Sequence, residues 1–291
     1  MTKSSTKAYT DEAKKHGMSF RKQMHGFAYA KWTPQYIKWL RNRTFPNASE
    51  KKKEYWSEHY HCKVLPLELA KSIITIDKDI PLQDLEQIIP YSTARELVIK
   101  APTDVVLYEC GCREASGNGC SPSRVCMVIG KPFTDVILEY HPDKSHRATT
   151  EEALQVLKEE DERGHMHTAW FKDVNLDRFY AICNCCKCCC VGLRAMTVNG
   201  LRTIAPSGYV AQRDEEKCSN CGKCAEACPF GAIIFEKKQM TFNWERCMGC
   251  GVCNSQCPKD AMTLVRDERK GIPMDVMDIG KLIHKDATAK T

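Results

Sequence analysis

The chain has 291 residues, 43 Lys or Arg against 37 Asp or Glu, and 19 cysteines. That length gives room for about two domains with a real core and excludes a small disulfide-stapled scaffold. The N-terminus MTKSSTKAYTDEAKKHG has no apolar centre of a signal peptide, and no apolar run approaches a membrane span, so a soluble protein in a reducing cytoplasm is expected, with cysteines serving as metal ligands rather than disulfides.

The positive charge is an N-terminal property. Residues 1–63 hold 14 basic against 5 acidic side chains, and residues 64–208 hold 16 against 20. The first segment is also rich in aromatics, among them Phe20, Tyr29, Trp32, Tyr36, Trp39, Trp56 and Tyr60. Phosphate contacts and stacking would suit such a mixture to nucleic acid; the preferred reading is a basic helical arm (1–63) that docks on the rest of the protein or on a partner. Thr33-Pro34 reads as a helix start with Thr33 as cap, and Ser49 can cap a second helix to about Tyr60. Pro66 leads into a helix over Leu67 to Ile74. Pro81 opens LQDLEQII, read as a helix with Leu82, Leu85 and Ile89 on one side, and Thr93 with Glu96 has capping-box spacing for another ending before Pro102. His59 and His61, near Cys62, read as surface or packing residues.

A cysteine-rich α/β domain is expected over 64–208. VVLYECGCR begins as a buried strand and runs into Cys110 and Cys112; GNG at 117–119 marks a turn, and Cys120 and Cys126 flank SPSRV. A helix follows from about Thr150 to Arg163, with Thr149 and Glu152 in capping-box register and Gly164 as its stop. After His165 and His167, a strand-like FYAI delivers CNCCKCCC, which holds Cys183, Cys185, Cys186, Cys188, Cys189 and Cys190. Val105 to Tyr108 and Phe179 to Ile182 are expected side by side, so that the two cysteine clusters meet at one end of a small sheet. Six cysteines in eight residues cannot all ligate one ion, because neighbouring side chains diverge. Cys110, Cys112, Cys120 and Cys126 with a subset of the 183–190 run suit one or two additional iron–sulfur clusters; zinc and a redox-active thiol pair remain open alternatives. GLRAMTV reads as a short connecting helix.

Near the C-terminus, CSNCGKCAEACP (218–229) and CMGCGVCNSQCP (247–258) each read C-x2-C-x2-C-x3-C-P, repeated at a period of 29 residues. The segment resembles a bacterial-type dicluster ferredoxin. The resemblance implies two [4Fe–4S] clusters, three cysteines of each run ligating one cluster and the fourth the other: Cys218, Cys221, Cys224 and Cys257 for one, Cys247, Cys250, Cys253 and Cys228 for the second. Zinc also uses paired C-x2-C motifs, but with four ligands and a longer spacer. Three thiolates at i, i+3 and i+6 can wrap three corners of a cube, with Gly222 and Gly249 letting the backbone approach. AIIFEKKQMTFNW reads as a hairpin, and Ala261 to Val265 mirrors Ala232 to Phe235, giving a duplicated module over 209–265 and a polar tail over 266–291. The whole chain is similar to cysteine-rich proteins of anaerobes that carry a C-terminal module of this kind.

The expected fold class is α+β: a helical N-terminal region, a small cysteine-rich α/β domain and the duplicated ferredoxin module. There is no G-x-G-x-x-G after a strand, no G-x-x-x-x-G-K-[ST], no G-x-S-x-G and no C-x3-C-x2-C. A self-contained flavin or nicotinamide reductase is therefore not expected. The expectation is an iron–sulfur electron-transfer protein, its two C-terminal clusters exchanging electrons with a further upstream metal site, as subunit or donor of a larger anaerobic oxidoreductase reached through a redox partner protein. The alternative is a redox or metal sensor with a zinc or thiol site and a nucleic-acid-contacting arm.

Overall fold

The computed structural model describes residues 3–77, 79–83, 96–99, 103–117, 119–237 and 239–276. Its elements in chain order begin with α1 (Ser4–Lys15), α2 (Phe20–Lys31), α3 (Thr33–Trp39) running into a π turn at Leu40–Thr44, α4 (Glu50–His59), β1 (Tyr60–Leu65) and α5 (Leu67–Ile74). Next come β2 (Ile80–Gln83), β3 (Glu96–Ile99), β4 (Val105–Glu109), α6 (Gly111–Ser116), β5 (Arg124–Ile129), α7 (Phe133–Tyr140), β6 (Ser145–Arg147) and α8 (Thr150–Glu162). The large sheet is completed by β7 (Met166–Lys172), β8 (Arg178–Cys185) and, after α9 (Val191–Thr197), β9 (Ile204–Ala205). The C-terminal segment holds β10 (Tyr209–Arg213), α10 (Lys223–Ala227), β11 (Ile233–Glu236), β12 (Gln239–Phe242), α11 (Val252–Ser255) and β13 (Met262–Arg266). The fold is α+β, as expected.

A mixed nine-stranded sheet organises everything before β10, in the order β6-β4-β5-β8-β7-β1-β9, with β2 joined through β3 to β8. The boundary expected after residue 63 falls inside β1, which pairs antiparallel with β7 and parallel with β9. Side chains alternate between two faces, as the strand period of two requires. Val106, Tyr108, Val128, Trp170 and Tyr180 face a core shared with α1, α3 and α7. Val105, Leu107, Met127, Phe171 and Phe179 face a second core with α5 and α8, which Met274 and Val276 of the C-terminal segment also enter. The last residues, 277–291, lie outside the described residues.

Three expectations are corrected. The helix expected to open at Pro81 is instead β2, antiparallel to β3 with Leu82 opposite Leu97; residues 84–95 of the two expected helices lie outside the described residues. Glu96 to Ile99 extend because Leu-Val-Ile suits a strand and β2 and β8 supply backbone partners, which overrides the capping-box signature. Pro81 is tolerated because, among the described residues, β2 pairs on one side only. Second, β4 and β8 are not neighbours: β5, which carries Cys126 and for which no strand was expected, lies between them and pairs antiparallel with both. Third, the cap of α3 is Trp32, because the Thr33 hydroxyl donates back to the Tyr29 carbonyl at 2.8 Å. By contrast, Thr149 caps α8 by accepting from the Glu152 amide at 3.2 Å.

Candidate metal centres

The ten cysteines expected upstream fall into two groups of different geometry. Cys120, Cys186, Cys188 and Cys189 form a quartet whose sulfurs lie within 4.8 Å of one another, and among the described residues it is the single cluster of metal-ligating side chains packed that closely. Within it Cys120 is 3.1 Å from Cys188 and 3.2 Å from Cys189, and Ser116 donates to Cys189 at 3.1 Å. A tetrahedral ion with metal–sulfur bonds of about 2.3 Å has sulfur–sulfur edges of about 3.8 Å, so the quartet suits one ion better than a cubane. The other six form a closed ring in the order Cys110, Cys112, Cys190, Cys185, Cys183, Cys126, each thiol interacting with the next. Hydrogen bonds from Cys112 and Cys126 hold the Cys110 thiol well below its usual range, and those from Cys183 and Cys190 bring Cys185 to about 6.

Local structure explains the ring. Cys110 and Cys112 sit where β4 turns into α6, Cys126 lies on β5, Cys183 and Cys185 end β8, and Cys190 caps α9, its sulfur accepting from the Leu193 amide at 3.4 Å. The inserted β5 therefore brings Cys126 between the two clusters. Cys62 is also buried, on β1, and belongs to neither group.

In the C-terminal segment, β10 and β13 pair antiparallel and β11 and β12 form the expected hairpin. Cys218, Cys221, Cys224 and Cys257 line one cavity, and Cys228, Cys247, Cys250 and Cys253 line another, each of about 20 Å³. The Ala232 amide donates to the Cys228 sulfur and the Ala261 amide to the Cys257 sulfur, both at 3.2 Å. Gly249 has φ +64°, and a Cβ there would collide with the Tyr209 carbonyl oxygen, so glycine is required at this position by the packing of the loop against β10. Residues 211–264 match the family model of the 4Fe-4S dicluster domain. Among curated proteins, none matches the chain. The chain thus carries a ferredoxin-like iron–sulfur module, a kind of module that serves electron transfer.

The ferredoxin-like module touches the cysteine run directly. Lys187, between Cys186 and Cys188, donates to the carbonyl of Glu226, between Cys224 and Cys228, at 3.1 Å. Ser255 and Gln256 of the module bind Asp161 and Glu162 at the end of α8. No described helix is long and apolar enough to cross a membrane.

Two buried features around the cysteines had no strong sequence signal. Arg113, on α6 between the cysteine groups, pairs with Glu160 of α8 and the Pro122 carbonyl, and His165 meets Glu160 at 2.8 Å. Burial pushes the Glu160 carboxyl up, but His165 and the Arg113 guanidinium outweigh it and the net shift is down. Asn184 extends the network, donating to the Val125 carbonyl and meeting His167, both at 2.6 Å. His167 and His61 are both buried, the latter stacked on Phe171, so His61 is a packing residue. The second feature is Lys172, 1% exposed, whose ammonium lies 5.1–5.5 Å from the rings of Tyr29, Tyr36, Trp56 and Tyr60. Burial lowers its pKa to about 8, against the opposing pull of Asp173.

The basic aromatic arm is folded over the sheet. Tyr9 donates to the Val174 carbonyl at 2.7 Å, His141 meets the Ala30 carbonyl at 2.8 Å and the Tyr29 and Tyr180 hydroxyls lie 2.9 Å apart. Phe20, Trp32, Trp39 and Tyr55 stay exposed. Beneath α2 and α3 is a cavity of about 110 Å³, lined by all six ring cysteines and by Tyr29, Ile37, Phe133, Val136, Ile137 and Tyr180 among others.

Proposed function

We propose that the chain relays single electrons through two [4Fe–4S] clusters, one held by Cys218, Cys221, Cys224 and Cys257 and the other by Cys228, Cys247, Cys250 and Cys253, to or from a metal centre among the ten upstream cysteines. It works as subunit or donor of a larger cytoplasmic oxidoreductase, with a redox partner protein. The observation that carries this reading is the Lys187–Glu226 contact, which sets the cysteine run of the upstream region against the cysteine-bearing α10 of the module. The two module cavities support the crossed ligand sets, since each is walled by three cysteines of one run and the fourth of the other. Bound clusters supply one-electron redox chemistry. The chain's part is to hold them with thiolates, aim the Ala232 and Ala261 amides at sulfur, which tunes the potential, and keep the two regions in contact.

The test uses anaerobically isolated full-length protein and its Cys221→Ala/Cys250→Ala variant, one ligand removed from each module cluster. The upstream centre of the parent should be reduced rapidly by a low-potential protein donor, and that of the variant should lose this fast phase while keeping its metal. Equal rates in the two proteins would remove the module from the electron path.

A further inference from the structure

The six-thiol ring exceeds what a cubane uses. A [4Fe–4S] cluster takes four thiolates, yet Cys110, Cys112, Cys126, Cys183, Cys185 and Cys190 close on one another and all face the same cavity. The protein contains its own ruler for size. Each cavity walled by the four cysteines of one module site measures about 20 Å³, while the ring cavity measures about 110 Å³. Apart from the thiols the cavity wall carries no charged side chain: Ile37, Phe133, Val136 and Ile137 are apolar, the Tyr29 and Tyr180 hydroxyls are engaged with each other, and the remaining polar lining, such as Thr6 and Asn175, is neutral. The quartet of Cys120, Cys186, Cys188 and Cys189 is tighter and adjoins this cavity, which Cys186 also lines.

We propose that the six-thiol ring holds one iron–sulfur centre larger than a cubane, and that the apolar chamber over it admits a small uncharged ligand to that centre. Thiolates brought together under a dry roof need a metal centre to compensate their charge, and six of them match a centre with more metal than four thiolates serve. An uncharged occupant follows from the chamber walls, because an anion entering there would lose its hydration with no charged partner on the apolar side. The inference rests on the reading that the upstream cysteines hold redox metal, and it specifies which of them and what they face.

The test is made on full-length protein prepared without oxygen, with carbon monoxide as the uncharged probe. Iron beyond the roughly eight atoms of the two module clusters should exceed four per chain, and Cys126→Ala/Cys183→Ala should lose more than about four irons while the module signals persist. Carbon monoxide should alter the spectrum of the reduced parent protein. Val136→Phe, which fills the chamber, should keep its iron and lose that response. Upstream iron of four or fewer, or zinc or copper in the ring, overturns the proposal and leaves the relay standing; no upstream redox metal at all defeats both. A carbon monoxide response that survives in Val136→Phe, or none in the parent, overturns the chamber as a ligand site. If the double variant does not fold, the iron count of the parent and the Val136→Phe comparison still decide.

Discussion

The guanidinium of Arg113 is 1% exposed and so is the carboxylate of Glu160 that it meets. Taking two charges out of water is costly, and removing one partner leaves the other uncompensated. Arg113→Met is therefore expected to destabilise the protein by about 3–5 kcal/mol, part of it moderated by Arg163, which also reaches Glu160. Arg113→Met/Glu160→Leu should recover most of that loss. Denaturant unfolding of both variants checks it, and a single-variant cost within experimental error would mean the pair is not stabilising the cysteine region. Lys172 is a different case, since its cage of rings offsets only part of the cost of burial. Its pKa is lowered to about 8, whereas the unfolded chain holds that proton up to about 10.4. Between those values the unfolded state binds more protons, so stability rises with pH across the window, and the burial penalty is fully present below about 8. Lys172→Met should accordingly be more stable than the parent at neutral pH, with the difference shrinking as pH passes from 8 toward 10. A difference that does not change with pH would contradict this account.

At the scale of elements, the strand β5 decides how the cysteines meet. Its sequence RVCMVI is β-branched at Val125, Val128 and Ile129 and gives Val128 to one core and Met127 and Ile129 to the other, a signal present in the chain but masked by the SPS and Pro132 turn residues on either side. The helices α5, α8 and α9 were legible because proline, Thr149 and apolar spacing coincide there, whereas β2 owes its extended form to pairing across the sheet and the strand propensity of Leu97 to Ile99 in β3 was hidden behind a capping-box pattern. In the C-terminal module, α10 carries Cys224 on the wall of one cavity and Cys228 at its end on the wall of the other. Cys228→Ser is thus expected to perturb the cluster whose other thiolates are Cys247, Cys250 and Cys253 more than the cluster of Cys218, Cys221 and Cys224. Electron paramagnetic resonance of the reduced variant reads this, and loss confined to the first cluster would refute the crossed ligation.

For the whole molecule, anaerobically purified protein should contain at least about eight irons, two four-iron clusters' worth; iron near four with matching zinc, measured by metal analysis, would sink the two-cluster assignment. The iron–sulfur module was readable because the cysteine spacing within 40 residues of chain is itself a pattern, and residues 211–264 match the 4Fe-4S dicluster model. The partition of the upstream ten was not, because it depends on which strand lies between which, and Arg113 and Lys172 gave no pattern because their partners, Glu160 and four scattered aromatic rings, lie far away in sequence. The part of the roof made by α2 and α3 comes from residues 20–39, and the thiols beneath it, with the α7 part of the cover, from residues 110–190. On a ribosome the roof emerges first and its floor much later. If the ring holds the proposed centre, delivery is expected before α2 and α3 settle onto α6 and β8, in the order sheet, then metal, then roof, and iron supplied to already folded apoprotein should fill the ring more slowly than the module sites.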